Sequence, residues 1–337
     1  MIDVIKALIK AYEIQGMLAL ENSFNKRGFD HVILVKVASA AASASLMGAN
    51  PLQIAIAVSH AFADTSPIRC YRHYPNTGPR KSWAAGDASS RGLFFATMAI
   101  RGEMGIKTVL SAKEWGLSDV MLGGEKLNLS QTLGSYVVEN ILFKVLYPAE
   151  FHAQTAVECG VRLHPKVKDR LGLIEKIELE TQEAGFRIIN KKGPLKNYAD
   201  RDHCLQYMVA VALAKGHLTA EDYEEIIPSI DPIRELMTVK ENPRFTREYL
   251  ESDKRSIANA VTIYFKEGTH IKEEIDYPLG HLKRRKEAYP HLLLKIESNL
   301  KGHFGEEKTG EILALFKDQK RFLDEPVHLF INKLVVD

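Results

Sequence analysis

Apolar residues recur at helical spacing through the first part of the chain. Those of 5–12 lie three or four positions apart, which predicts an amphipathic helix near the start. The stretch 31–48 is rich in Ala and Ser, and it predicts a buried helix because small side chains let helix axes approach closely. Asn50 and Pro51 suit the N-cap and first position of a further helix. Residues 81–102 form another Ala-rich helical stretch.

The pattern changes in the middle of the chain, where strands are expected. Residues 174–181 alternate between apolar and charged side chains, which predicts a half-buried strand. The segments 256–265 and 269–277 are two further predicted strands, joined by a hairpin turn. A smaller hairpin is predicted over 120–129, and residues 200–215 are predicted to form one helix.

These elements predict a mainly α protein with an α/β insert. The helical main domain is expected over 1–147, and a smaller α/β lid domain over 148–281. The amphipathic helices of 282–337 are expected to return to the main domain. The chain also starts inside a helical pattern with no capping segment before it, so we expect an N-terminal portion to be missing.

Composition narrows the classes of function. Lys and Arg (45) nearly balance Asp and Glu (43), so a net charge of +2 gives no reason to expect nucleic acid or an anionic membrane as partner. No apolar run reaches the roughly 20 residues that span a bilayer. The three cysteines, Cys70, Cys159 and Cys204, are far apart in sequence. They favour reduced thiols in a cytoplasmic protein, and their spacing argues against an iron–sulfur cluster.

Four segments concentrate His, Lys, Arg and Tyr within apolar surroundings. His31 precedes the Ala/Ser helix, where it suits either a cap or a site. Lys81 begins a helix, where the helix dipole disfavours a cation, so either an anionic ligand or a nearby acid must stabilise it. Lys144 lies in an apolar stretch, expected to be a strand, where an unpaired lysine is rare. His203 and Tyr207 share one face of a helix, although His203 also suits a helix start.

Such residues fit a small polycarboxylate as substrate. Its carboxylates need fixed cations, and the elimination of water needs a base for the proton α to a carboxylate and an acid for the departing hydroxyl. His, Lys and Tyr can act in these roles without a cofactor. The sequence has no HExxH motif, no Cys/His cluster, no GxGxxG and no P-loop, so it predicts neither a metal nor a nucleotide site.

At these same segments the sequence resembles the MmgE/PrpD family. The matching stretches are ALENSFN at 19–25, DHVILVKVAS at 30–39, YRHYPNTGPRKSWAAGDASSR at 71–91, PAEFHAQTAVE at 148–158, IINKKGPL at 188–195, ADRDHCLQYMVA at 199–210, KRSIANA at 254–260 and YPLGHLKRR at 277–285. The resemblance implies a homodimeric lyase with a helical domain and an α/β lid, its site between them. It implies elimination of water from 2-methylcitrate to give 2-methylaconitate in propionate catabolism, without a cofactor.

Family positions can be transferred residue by residue. The resemblance puts proton handling on His31 and Tyr207, and carboxylate binding on Lys81 and Lys144. From their motifs and chemistry we add the three residues His203, His152 and Arg72, with His203 in catalysis and the other two in substrate binding. Family members have a further N-terminal helical segment that contributes to the pocket, so either a separate chain supplies it or this chain is a truncated gene product. The alternatives are a decarboxylase or epimerase of a related polycarboxylate, or an inactive truncated member of the family.

Overall fold

The computed structural model describes residues 1–64, 67–73 and 75–336, which divide into two compact units. Unit 1 contains Met1–Ile141 and the chain from Leu300 onward, and unit 2 contains Leu142–Asn299. The domain limits predicted from the sequence differ from these bounds, most clearly at 282–299, which lies in unit 2. There Ala288 packs with Val145 and Leu279 in a small buried cluster.

Unit 1 is built from helices packed around α2. The helices are α1 (Ile2–Glu21), α2 (Val32–Leu46), α3 (Pro51–Ala63), α4 (Arg80–Ile100), α5 (Leu117–Met121) and α6 (Tyr136–Asn140). The small residues predicted on α2 let it contact α1, α3 and α4. The predicted start of α3 is confirmed, because Asn50 accepts the Gln53 amide at 2.9 Å and Gln53 accepts the Asn50 amide at 3.0 Å.

Unit 2 combines a four-stranded sheet with helices. Its elements are α7 (Gln154–Val167), β1 (Ile174–Thr181), α8 (Glu183–Ile189), α9 (Tyr198–Arg201), α10 (Leu205–Lys215), α11 (Ile230–Glu235), β2 (Met237–Glu241), α12 (Pro243–Leu250), β3 (Asn259–Phe265) and β4 (His270–Ile275). The sheet order is β2-β1-β3-β4, with β2 parallel to β1 and the other pairs antiparallel. The apolar face of β1 packs on α7 and α10 in one buried cluster.

The remaining helices complete the chain. α13 (Arg285–Lys317) is interrupted at Gly305, whose φ of 76° is outside the helical range, and α14 (Gln319–Asp324) and α15 (Val327–Lys333) follow it. In the described part of the chain, every helix is too short or too polar to cross a membrane.

The mainly α fold with an α/β part is confirmed, and so are the strand at 174–181 and the hairpin of β3 and β4. The hairpin predicted over 120–129 is wrong. Leu117 and Leu122 are both buried in the core of unit 1, and the chain reaches them through the short helix α5 rather than through paired strands. The single helix predicted over 200–215 is also wrong, because Asp202–Cys204 separate α9 from α10.

Candidate active site

In unit 1 a buried carboxylate joins two of the predicted site residues. Asp30 is fully buried just before α2, and its Oδ1 accepts the Val32 amide at 3.1 Å. Arg72 donates to both carboxylate oxygens, with its second contact at 3.2 Å. His31 Nδ1 lies 3.5 Å from the same carboxylate. His31 and Arg72 are therefore brought together through Asp30, an acid that sequence reasoning had not singled out.

The charges around Asp30 determine its protonation and that of His31. Burial raises the pKa of Asp30, but the Arg72 hydrogen bond and the nearby His31 and Arg72 charges outweigh it and leave the pKa below its usual value. Partial desolvation lowers the pKa of His31; Asp30 opposes this effect, and Arg72 and Arg69 add to it. His31 is thus a mainly neutral imidazole at pH 7, which suits a proton acceptor.

Lys81 lies one residue after the start of α4, where Arg80 is stacked on aromatic rings. The Arg80 guanidinium carbon lies 4.4 Å from the Trp83 ring centroid and 5.3 Å from that of Tyr71. Its Nη2 is 3.2 Å from Asp87 Oδ2, so this acid pairs with Arg80. The Lys81 side chain is half-buried. The beginning of α4 therefore carries two cations in succession.

A small cavity of about 210 Å³ lies beside α2 and α4 in unit 1. Lys36 is buried against it and contacts Asp64 Oδ2 at 3.0 Å, while Arg91 contacts Asp64 Oδ1 at 2.9 Å. Sequence reasoning missed Lys36, although a lysine inside the Ala/Ser helix is the same kind of signal as Lys144.

In unit 2 three predicted residues gather around two acids. The His152 ring contacts Glu150, with Nδ1 2.8 Å from Oε1, and the His203 ring contacts Asp202, with Nδ1 2.9 Å from Oδ1. Lys144 has its Nζ 4.9 Å from the Phe151 ring centroid. Lys144 interacts electrostatically with both Glu150 and Asp202, and Glu150 interacts with both His152 and His203, so the three predicted residues belong to one neighbourhood. Glu150 and Asp202 were not predicted to have a role there.

Lys144 is held among apolar atoms with carboxylates nearby. Burial lowers its pKa, while the Glu150 and Asp202 charges raise it, and the net pKa lies below the usual value for lysine. The segment 141–145 around it has no regular secondary structure, so the strand predicted there is wrong. The Lys144 carbonyl oxygen accepts a hydrogen bond from the Lys295 ammonium at 2.5 Å. A partly desolvated ammonium of this kind is suited to a carboxylate ligand.

Tyr207 is the third residue of α10. It is 3% exposed within the core of unit 2, and its hydroxyl donates to the Asp222 carbonyl at 2.5 Å. Burial raises its pKa to about 12, with the Asp222 charge among the further causes. Its assignment to proton handling stays a prediction, and in this structure the hydroxyl has a backbone partner.

Comparison with known proteins identifies the family. The model of the MmgE/PrpD N-terminal domain matches residues 2–130, and that of the MmgE/PrpD C-terminal domain matches residues 147–319. The chain belongs to the MmgE/PrpD family. Among the described residues of this family member, no cluster of three or more His, Cys, Asp or Glu side chains is arranged to hold a metal ion.

Several curated relatives are similar over nearly the whole chain. The mitochondrial 2-methylcitrate dehydratase of Yarrowia lipolytica is 50% identical over 98% of this chain and 65% of its own length. The 2-methylcitrate dehydratase of Escherichia coli is 48% identical over 99% of this chain and 71% of its own length. A probable 2-methylcitrate dehydratase of Saccharomyces cerevisiae is 49% identical over 98% of this chain and 66% of its own length. The MmgE/PrpD chain thus spans about two thirds of the length of these relatives.

Proposed function

We propose that this protein is a 2-methylcitrate dehydratase, a hydro-lyase that eliminates water from 2-methylcitrate to give 2-methylaconitate. The observation that carries the proposal is the identity of 48–50% to such dehydratases over 98–99% of the chain. Because the chain covers 65% of the first of these relatives and 71% of the second, the proposal concerns the activity of the whole protein.

The chemistry of the two clusters supports an elimination. A base takes a proton from the carbon next to the hydroxyl-bearing carbon, and the electron pair of that C–H bond forms the new C=C bond. The C–O bond breaks, and the hydroxyl leaves as water after it takes a proton. No oxidant or reductant is needed. Unit 1 offers the imidazole of His31, and unit 2 offers that of His203 for such transfers. His152, predicted from the sequence to bind the substrate, has an acid-paired imidazole of the same kind.

The carboxylates of the substrate require cations. Lys144 is suited to one of them, and Lys81 at the start of α4 is proposed for another. Arg72 is also proposed to contribute, although both of its hydrogen bonds to carboxylate oxygens go to Asp30. We further propose a cytoplasmic homodimer. The exposed apolar side chains Leu93 and Phe94 on α4, each 49% exposed, are in keeping with a surface that a second subunit covers.

The deciding experiment is a spectrophotometric assay with 2-methylcitrate that follows absorbance from the new conjugated double bond. The purified chain is measured alone and with the N-terminal segment of the E. coli relative supplied as a separate polypeptide. Turnover in either case supports the dehydratase. A folded chain that gives no product with the added segment would contradict it.

The same samples test the alternatives. A decarboxylase of a related polycarboxylate would release carbon dioxide, and an epimerase would change the NMR spectrum of the substrate without new absorbance. Light scattering of the purified protein gives the oligomeric state, and a mass near that of one 37.9 kDa chain would exclude the homodimer for this chain.

A further inference from the structure

Glu150 clamps His152 through both its backbone and its ring. The His152 amide donates to Glu150 Oε2 at 2.7 Å, and the ring nitrogen Nδ1 lies 2.8 Å from Oε1 and 3.0 Å from Oε2. Both side chains are 14% exposed. The carboxylate therefore caps the short 3-10 helix Phe151–Ala153 and fixes the ring at the same time.

The protonation of this pair follows from the donors available. Burial raises the pKa of Glu150, but the charge and hydrogen bonds of His152 and the charge of His203 outweigh it, so the carboxylate is ionised at pH 7. An ionised carboxylate has no proton to donate, so Nδ1 of His152 must carry one. In the neutral ring, Nε2 then has the free lone pair.

The other ring nitrogen has a partner of its own. His152 Nε2 lies 3.4 Å from the Tyr249 hydroxyl, with ring centroids 5.9 Å apart. Burial, followed by the charge of Glu150, raises the pKa of Tyr249, so its hydroxyl is neutral and can donate weakly to Nε2. A long contact of this kind is easily exchanged for a substrate.

The backbone of His152 is anchored to the sheet. Asn259, the first residue of β3, donates from Nδ2 to the His152 carbonyl at 2.8 Å and to Thr155 Oγ1 at 2.7 Å. Thr155 in turn donates to the Ile257 carbonyl at 2.6 Å. The PAEFHAQTAVE and KRSIANA segments are thereby joined, and the backbone of His152 is tied to the first residue of β3.

We infer that Glu150 is a positioning residue that holds His152 in the Nδ1–H tautomer, so that Nε2 is the base of the elimination. In this step Nε2 displaces Tyr249 and takes the proton α to a carboxylate, and Glu150 stabilises the imidazolium that forms. The electron pair makes the C=C bond, and the hydroxyl leaves as water with a proton from His203, whose Nδ1 lies 2.9 Å from Asp202 Oδ1. The catalytic role of His152 rests on the proposed function, whereas the assignment of its Nδ1–H tautomer does not.

The variant Glu150→Gln tests separately whether Glu150 fixes the His152 tautomer and whether that tautomer is needed for catalysis. The backbone amide of His152 would hold the single amide oxygen of the glutamine, leaving its NH₂ group opposite Nδ1. Nδ1 must then accept a hydrogen bond, and the ring proton moves to Nε2, which ceases to be a base. We expect kcat to fall by about 10²–10⁴-fold, as for the wrong tautomer in a carboxylate–histidine pair, with KM changed by less than about 3-fold.

The tautomer is measured directly by nitrogen-15 NMR of the full chain labelled at histidine. The His152 signals are assigned by their loss in His152→Gln. We expect the Nδ1–H pattern in the wild type and the Nε2–H pattern in Glu150→Gln. Glu267→Gln, which changes an exposed acid in the hairpin turn, is the matched control and should leave both the pattern and kcat unchanged.

The outcomes are distinguishable. An Nε2–H pattern in the wild type, or an unchanged pattern in Glu150→Gln, would overturn the inference. A switched tautomer with unchanged kcat would overturn His152 as the base. A switched tautomer in a protein that does not turn over 2-methylcitrate would support Glu150 as the positioning residue while contradicting the proposed function. Glu150→Asp retains a carboxylate and should keep the Nδ1–H pattern. This result would show that the changed tautomer in Glu150→Gln comes from the lost carboxylate and not from loss of the fold.

Discussion

Gly92 is the point of closest approach between α2 and α4. A methyl group added at Gly92 would lie 2.7 Å from the Lys36 carbonyl oxygen and 2.8 Å from the Ala40 amide nitrogen. These are backbone atoms, so only a separation of the two helices can relieve the overlap. Because α2 begins after Asp30-His31 and α4 begins just before Lys81, this packing also sets the positions of the predicted site residues of unit 1.

Gly92→Ala should therefore destabilise unit 1 in spite of the higher helix propensity of alanine. Overpacking against backbone costs about 3 kcal/mol at the upper end of its usual range, and replacing a mid-helix glycine recovers about 1 kcal/mol. The expected net loss is about 2 kcal/mol. Gly86 lies in the same helix, and among the described residues no atom outside the adjacent turns of that helix lies within 4 Å of an added methyl, so Gly86→Ala should gain up to about 1 kcal/mol.

Both variants can be measured by urea unfolding followed by tryptophan fluorescence. The two tryptophans, Trp83 and Trp115, lie in unit 1, so the signal reports on that unit. A Gly92→Ala protein as stable as the wild type, alongside a stabilised Gly86→Ala protein, would show that α2 and α4 are not in close contact at this position.

Three further outcomes are expected. Arg72→Met should lower unfolding stability by about 3 kcal/mol in urea titrations, because it leaves the buried Asp30 carboxylate unpaired; an effect below 1 kcal/mol would contradict this. The pKa of Asp30 is lower in the folded protein than in the unfolded chain, where it is about 3.9. The ionised Asp30 carboxylate therefore adds to the free energy of unfolding above a pH of about 3.9, and this contribution is lost as the pH falls through the folded pKa. The unfolding stabilities of wild type and Arg72→Met should consequently converge at low pH. Tyr207→Phe should lower unfolding stability by about 1 kcal/mol through the lost hydrogen bond to the Asp222 carbonyl. A fall in kcat of about 100-fold or more would support the predicted role of Tyr207 in proton handling, and an unchanged kcat would contradict it.

Local signals were sufficient for much of the fold. The start of α3 could be predicted from Asn50 and Pro51, because the hydrogen bonds of the cap join residues only three positions apart in sequence. The strand at 174–181 was found because alternation over eight residues is unlike any helix. In contrast, β2 was missed, since only two of its five residues, Met237 and Val239, are apolar and only pairing with β1 identifies it.

Asp30 and Tyr249 were not predicted from the sequence as site residues, because their roles depend on contacts with residues distant in sequence. Arg72 reaches Asp30 across 42 residues, and Tyr249 reaches His152 across 97. Glu150 was overlooked for a different reason. An acid two residues before a histidine is ordinary in sequence, and only its burial and its two contacts to His152 show that it fixes the ring.

The partners of each cation distinguish the predicted substrate-binding residues. Arg72 is 12% exposed and forms its ion pair with Asp30 through two hydrogen bonds, so its charge is already neutralised. Lys144 forms no ion pair within 4.0 Å among the described residues; its ammonium rests on the Phe151 ring and interacts with Glu150 and Asp202 at longer range. A substrate carboxylate would therefore gain more from Lys144 than from Arg72. We expect Lys144→Met to raise KM about 30-fold, which corresponds to about 2 kcal/mol for a lost charge-assisted contact. Because the charge of Lys144 also favours ionised Glu150, the His152 tautomer in this variant shows whether the loss is confined to binding.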